Sequence, residues 1–365
     1  MLTYSDRAST RTQVAVLRAG CYDNPQSGGR QRLSMWKFLI KAGVSVLLLA
    51  LLLRGLDPGE LLQKMLTVDR SALIMAALCY WAVCIPSAMR WSIVMRAMGY
   101  ERPFRVTFPI VLIGYFFNLT LVSAVGGDAV RMWEIHRSGL PPAQAFISVT
   151  IDRLIQYLAH ILIVIAALPA AFQLVPDAAV RRVLLLFVAA SVLGFVAATL
   201  LDRLPLVTRR FGLAGVLGQF SQDLRRVLLV PSRAMSTVFL GLCNQCGVVL
   251  VVIILAWGLA LPVTWLQCVV IVPLSMLATA IPISIGGWGV RESAFVTGFG
   301  LVGVTASNAI VLSVLFGILN LLVRLPGALV WLAATKHAHP PARPTGDRNS
   351  PTPPASVGQR QGIER

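Results

Sequence analysis

The chain has 365 residues, 56% of them hydrophobic and only 13% charged, with a mean hydropathy of +0.75. Soluble domains carry about 25% charged residues, so this composition excludes a water-soluble globular enzyme. The formal net charge of +17 suggests nucleic acid at first. The basic residues, however, collect in the tails and in certain loops, where Lys and Arg orient a membrane protein and meet anionic headgroups; no nucleic-acid partner is expected.

Residues 1–35 are polar and basic, are expected to be disordered, and show no cleavable signal peptide. Apolar segments then follow one another. The first is Phe38–Leu53, extended by Trp36 and the snorkelling Lys37 and Lys41. Ala72–Met89 is the second, and Val106–Val125 the third, running into Gly126-Gly127. Leu154–Phe172, Val183–Leu201 and Met235–Leu259 come next. The seventh, Trp265–Ile285, contains Pro273 and Pro282 and runs into Gly286-Gly287. A short piece, Ser293–Val304, precedes the last segment, Ala306–Ala334, and a Pro-rich tail over 336–365 is expected to be disordered. Runs of this length suit a hydrocarbon core about 30 Å thick, and strand-like alternation is missing, so the expected fold is an all-α transmembrane helical bundle spanning 36–335. Between the fifth and sixth segments, residues 206–230 place Leu213, Leu217, Phe220, Leu224 and Leu228 at helical spacing among four arginines. That pattern predicts an amphipathic helix, either on the membrane interface or packed on the bundle.

Charge sets orientation. Residues 1–37 hold six Lys/Arg against two acids, 90–105 four against one, 202–234 six against two, and 335–365 five against two. The positive-inside rule puts all four on the cytoplasmic side of a cell inner membrane, including both termini. If every segment crossed, three crossings would join two cytoplasmic loops, twice over. Re-entrant hairpins turning at Gly126-Gly127 and at Gly286-Gly287 remove the conflict, leaving about six full crossings. The two turns also match in sequence: Gly126-Gly127-Asp128-Ala129-Val130-Arg131 and Gly286-Gly287-Trp288-Gly289-Val290-Arg291 share G-G-x-x-V-R, 160 residues apart. The same shift lays the second segment on the sixth and the fourth on the last. The chain therefore reads as an inverted repeat, with halves of about 36–175 and 180–335, as in secondary transporters. The alternative is that both glycine pairs only cap helices.

Ionisable groups at membrane depth are costly and mark candidate sites. The candidates are Asp128, Arg131, Glu134, Asp152, Arg153, Arg291, Glu292 and Arg324. In each half a glycine turn with free backbone N–H groups precedes an arginine, a pairing suited to phosphate. Arg131 and Arg291 are read as ligand contacts. Asp152 with Arg153, and Arg291 with Glu292, are read either as internal ion pairs or as part of the same site. Asn118, Asn244, Gln245, Asn320 and His160 are expected to hydrogen-bond between helices. Five of the six cysteines, the Cys243–Cys246 C-x-x-C included, lie in apolar runs as packing residues. No metal or cofactor is expected.

Two stretches carry a family resemblance. Gly126-Gly127-Asp128-Ala129-Val130-Arg131, followed by Ser148 to Asp152-Arg153-Leu154, resembles a GD-x-x-R … S-x-x-x-(D/E)-R region. Pro282 through Gly286-Gly287-Trp288-Gly289-Val290-Arg291-Glu292 resembles P-x-x-x-G-G-x-G-x-R-E. Both belong to the transmembrane region of lysylphosphatidylglycerol synthases, also called the flippase-like domain family, and the resemblance covers about residues 36–334. It implies a lipid translocase or lipid-binding transporter for a phospholipid, a polyprenyl-phosphate-linked lipid or a hopanoid-type lipid. The implied site residues are Gly126, Gly127, Asp128, Arg131, Asp152, Arg153, Gly286, Gly287, Arg291 and Glu292, and the implied partners are anionic or phosphate-bearing membrane lipids. About 30 residues follow Ala334, too few for the family's soluble aminoacyl-transferase domain, so synthase activity is not expected. The alternative function is a non-catalytic membrane partner that delivers lipid to a separate biosynthetic enzyme.

Overall fold

A computed structural model describes residues 43–54, 57–120, 126–175, 177–203, 213–280 and 287–336; among them the regular structure is helical, without strands. Gly286, Pro282 and both expected tails, Lys336 apart, lie outside the described residues. The helices are α1 (Gly43–Leu53), α2 (Pro58–Leu66), α3 (Arg70–Ala82), α4 (Cys84–Ala97), α5 (Phe104–Thr120), α6 (Gly126–Arg137), α7 (Pro142–Leu174), α8 (Ala178–Thr199), α9 (Leu213–Leu228), α10 (Pro231–Gly258), α11 (Trp265–Ala280), α12 (Val290–Gly300), α13 (Ala306–Arg324) and α14 (Pro326–Lys336).

Among the described residues five stretches are long and apolar enough to cross a membrane: α3–α4, α7, α8, α10 and α13–α14, of 22 to 33 residues each. Two are interrupted once, and proline is the cause both times. Pro86 lies just after the break at Val83, and Pro326 just after the break at Leu325. A proline ring removes one N–H and clashes with the carbonyl four residues back. The second expected segment is too short: helix continues through Arg90 to Ala97. Arg90 was counted above with a cytoplasmic loop, yet it is only 3% exposed.

The glycine-pair segments form two hairpins, α5 against α6 and α11 against α12. Their arms have 17, 12, 16 and 11 residues. At 1.5 Å per residue these are about 26, 18, 24 and 17 Å long, each short of a 30 Å core. Close approach requires small residues. A Cβ on Gly127 would sit 1.9 Å from the Gly114 carbonyl oxygen and 2.6 Å from Asn118, while Asn118 Oδ1 accepts the Gly127 N–H at 2.9 Å. Gly289, at φ +86°, meets Leu48 of α1 in the same manner.

Shifted by the distance from Gly126 to Gly286, α2 falls on α9, α3–α4 on α10, α5 on α11, α6 on α12 and α7 on α13–α14. The halves interdigitate. Helix α10 packs on α3, α4 and α7, and α14 packs on α5. Gly247 meets Val83 and Gly258 meets Ala72, each at 2.5 Å from a would-be Cβ; this is the small-residue packing that membrane helices use. Helix α8 is peripheral: only Val188 is buried, while Val183, Leu186 and Leu193 are 65–70% exposed. An apolar helix so open would aggregate in water and is at home against lipid.

Helix α9 packs on the bundle. Phe220, Leu224 and Val227 are buried against Val94 of α4 and Ile147, Ile151 and Ile155 of α7. The bundle packing that the sequence allowed is present for residues 213–228. Arg225 pairs with Asp202, and Ser221 Oγ donates to the same carboxylate at 3.0 Å, tying α9 to the end of α8.

Candidate functional site

The interior holds a polar cluster whose core is α7. Asp152, Gln156 and His160 follow at four-residue spacing, so they share one face of that helix. Asp152 is 1% exposed and accepts from two arginines, Arg90 Nε at 2.8 Å from α4 and Arg131 Nη2 at 2.8 Å from α6. Arg131 also stands 3.5 Å from Asp128 Oδ1, and its guanidinium lies 4.3 Å from the centre of the Trp91 ring. Arg153 reaches back to Asp128 with two hydrogen bonds, Nε at 2.6 Å and Nη2 at 2.9 Å. The adjacent Asp152 and Arg153 therefore do not pair with each other, which corrects the reading made from the sequence. Asp152 instead takes its partners from α4 and α6, and Arg153 takes its partner from α6. Arg90 Nη1 donates to Gln156 Oε1.

These groups surround a cavity of about 190 Å³ lined by Arg90, Arg131, Asp152, Arg153, Gln156 and Arg324, with Tyr80, Tyr115, Asn244 and Gln245 completing the wall. Arg324 ends α13, with its guanidinium 5.4 Å from the Tyr115 ring centre, and has no carboxylate partner among the described residues. The wall is cross-linked. Asn244 donates to the Val83 carbonyl at 3.1 Å and to Ser87 Oγ at 2.7 Å, and the Tyr80 hydroxyl donates to Asn320 Oδ1 at 2.7 Å. His160 Nε2 lies 2.9 Å from the Pro273 carbonyl, and its other nitrogen contacts Gln245. The polar residues of the spans thus bridge helices.

Arg291 and Glu292 lie elsewhere. Arg291 Nη2 donates to Glu292 Oε1 at 2.5 Å, Arg291 Nε to Ser313 Oγ at 3.1 Å, and Glu292 Oε2 accepts the Gly289 N–H at 2.6 Å. Trp288 covers this guanidinium at 4.7 Å. The acid closes the first turn of α12 from its third position, half of a capping box, and the pair is buried at 4% and 0% exposure. The two G-G-x-x-V-R arginines therefore differ: Arg131 lines the cavity, and Arg291 is closed between Glu292 and Ser313 of α13. Gly126 and Gly127 start α6, with the Gly127 N–H engaged by Asn118 rather than open. Gly287, at φ +80°, packs on Thr279. Four polar cavity residues were not among the sequence candidates: Tyr80, Arg90, Tyr115 and Gln156. The four-residue stripe on α7 was a legible signal for Gln156. For Arg90 the signal was the apolar run that continues after it, Trp91 to Met95.

A helical bundle with several membrane-length helices, paired short hairpins and an arginine-lined interior defines a class, the multi-pass membrane proteins. Comparison supplies the family. Residues 38–327 match the Lysylphosphatidylglycerol synthase TM region, and the chain belongs to this family. Two archaeal relatives are UPF0104 membrane proteins. The one from Methanothermobacter thermautotrophicus is 30% identical over 112 residues, 30% of this chain and 33% of the relative. The one from Methanocaldococcus jannaschii is 26% identical over 103 residues, 28% of this chain and 30% of the relative. The chain thus spans about a third of the length of the curated relatives it matches. Family and fold tie the chain to the membrane.

Proposed function

We propose that the chain is an inner-membrane lipid translocase, or lipid-binding transporter, that holds a phosphate-bearing headgroup in the α4–α6–α7–α13 cavity and is not itself an enzyme. The observation that carries this reading is the convergence of Arg90, Arg131, Arg153 and Arg324 on one small cavity within the bundle. Guanidinium groups present planar forks of donors matched to phosphate oxygens, and membrane-buried charge without such a role is costly. This headgroup site has Arg90, Arg153 and Arg324 beside Arg131 in place of Arg291, because Arg291 is closed between Glu292 and Ser313 of α13.

The charge pattern supports opposed hairpins and cytoplasmic termini. Near the open end of the first hairpin stand Arg96, Arg102, Arg105 and Arg137, and Arg102 Nη2 donates to the Ser138 carbonyl at 2.7 Å across that opening. The open end of the second, residues 259–264 and 301–305, has no charged residue. By the positive-inside rule the first opens to the cytoplasm and the second to the other side. The cavity then lies in the cytoplasmic half, and rocking of the hairpins would carry a headgroup between leaflets.

Reconstitution into vesicles with a fluorescent phospholipid tests this. Dithionite-accessible signal is expected to equilibrate across the bilayer with the intact chain and to do so at least about tenfold more slowly with Arg131→Ala or Arg90→Ala. Lipid movement unchanged by both substitutions would remove the cavity from the mechanism. Binding without movement would leave the chain as a lipid-delivery partner.

A further inference from the structure

The charges of the cavity do not cancel. Arg90, Arg131, Arg153 and Arg324 line it with Asp152 as the one carboxylate of the lining, and Asp128, which is not part of that lining, pairs with Arg153 and Arg131. Two positive charges are left over inside a bundle of membrane-depth helices, where an uncompensated charge is expensive. Donors are left over as well. Arg131 Nε and Gln156 Nε2 are buried without an acceptor among the described residues, and both belong to residues that line the cavity. Size adds a third constraint. At about 190 Å³ the cavity falls below the roughly 300–1,000 Å³ of sites that enclose drug-sized ligands, and it suits a compact group.

Resting on the headgroup reading above, we infer that the cavity selects a lipid phosphomonoester, whose terminal phosphate brings two negative charges, over the singly charged phosphodiesters of bulk phospholipids. A monoester is close to a dianion above its second pKa of about 6, so it cancels the excess. A phosphodiester cancels half of it, and an aminoalkyl or aminoacyl headgroup brings back a positive charge. The monoester also presents three terminal oxygens to donors that converge from several sides, whereas a diester has two and carries a second substituent into a small space. Arg324 is the source of discrimination, since it is the cavity arginine with no acid of its own; without it the excess is a single charge, which a diester matches.

The test uses the full chain in phosphatidylcholine nanodiscs at pH 8, with equilibrium binding measured for three probes: short-chain phosphatidic acid, short-chain phosphatidylglycerol and glycerol 3-phosphate. Phosphatidic acid is expected to bind at least about tenfold more tightly than phosphatidylglycerol, as an extra charge contact in a poorly solvated site would give. Arg324→Gln is expected to bring that ratio close to one, and Arg324→Lys to keep it, which separates lost charge from lost folding. Equal binding of the two lipids overturns the inference and leaves the headgroup reading standing. Binding of neither overturns the headgroup reading itself. Glycerol 3-phosphate binding as tightly as phosphatidic acid would make the ligand a soluble phosphate and overturn the lipid assignment. A ratio that survives Arg324→Gln overturns the role given to the excess charge.

Discussion

Asp152 is the residue on which the interior depends. It is 1% exposed and accepts from both Arg90 and Arg131 at 2.8 Å each. Removing one partner from a buried pair costs about 3–5 kcal/mol, because the other charge is left without compensation. Asp152→Asn is therefore expected to lower the thermal unfolding midpoint of the detergent-purified protein sharply. The double substitution Arg90→Gln with Asp152→Asn restores the local charge balance and is expected to recover most of the loss; a double variant no better than the single one would show that the Arg90 contact is incidental. A second residue-scale constraint is Gly127. A Cβ there would meet the Gly114 carbonyl at 1.9 Å, and backbone cannot swing aside as a side chain can. Gly127→Ala is expected to destabilise by about 1–3 kcal/mol, the usual cost of overpacking, or to spread the hairpin, either visible as a lowered unfolding midpoint.

Among the elements, α9 is the one whose docking should respond to pH. Hydrogen bonds from Arg225 and Ser221 hold the Asp202 carboxyl below the usual carboxylate range. A depressed acid stabilises the folded state above its unfolded pKa and loses that contribution as pH falls through the folded one. Burial pushes Asp223, on the inner face of α9, in the other direction despite the nearby Arg226, so its protonation on acidification favours the folded state. Asp202 thus sets the acid weakness of this contact and Asp223 opposes it. Between about pH 5 and pH 3, stability of the intact protein is expected to fall more steeply than that of Asp202→Asn. Parallel melting curves of the two across that window would show that Asp202 does not anchor α9. The hairpins belong to this scale too. The pairing of their arms was legible because glycine pairs recur with the same following residues. Their arms were legible because three crossings of the apolar runs between two basic loops would break the charge rule.

At the scale of the whole molecule, the question is which hairpin opens on which side. Single cysteines at Glu101 and Arg137, in a cysteine-free background, flank the open end of the first hairpin, and cysteines at Pro262 and Ala306 flank that of the second. In right-side-out and inverted vesicles, a membrane-impermeant maleimide is expected to label the first two from one side and the second two from the other. Labelling of Glu101→Cys and Arg137→Cys from opposite sides would make the first hairpin a full crossing and remove the inverted arrangement. The interdigitation of the halves has its own consequence. Because α10 packs on α3, α4 and α7, residues 180–335 expressed alone would expose that face and are not expected to fold as a stable unit.

The sequence by itself determined the membrane setting, the helical class, the hairpin positions and the apolar face of α9. Each of these follows from a sum or a period along the chain: mean hydropathy, charge per loop, and apolar spacing. The tertiary structure decided which charges meet. It moved Arg90 from a loop into the bundle, gave Asp152 to Arg90 and Arg131, gave Asp128 to Arg153, and separated Arg131 from Arg291 although both follow the same glycine pattern. Those outcomes depend on the rotation and register of one helix against another, where a single residue turns a side chain by about 100°. Between residues as far apart as Arg90 and Arg324, nothing local in the chain fixes that geometry; packing of the intervening helices does.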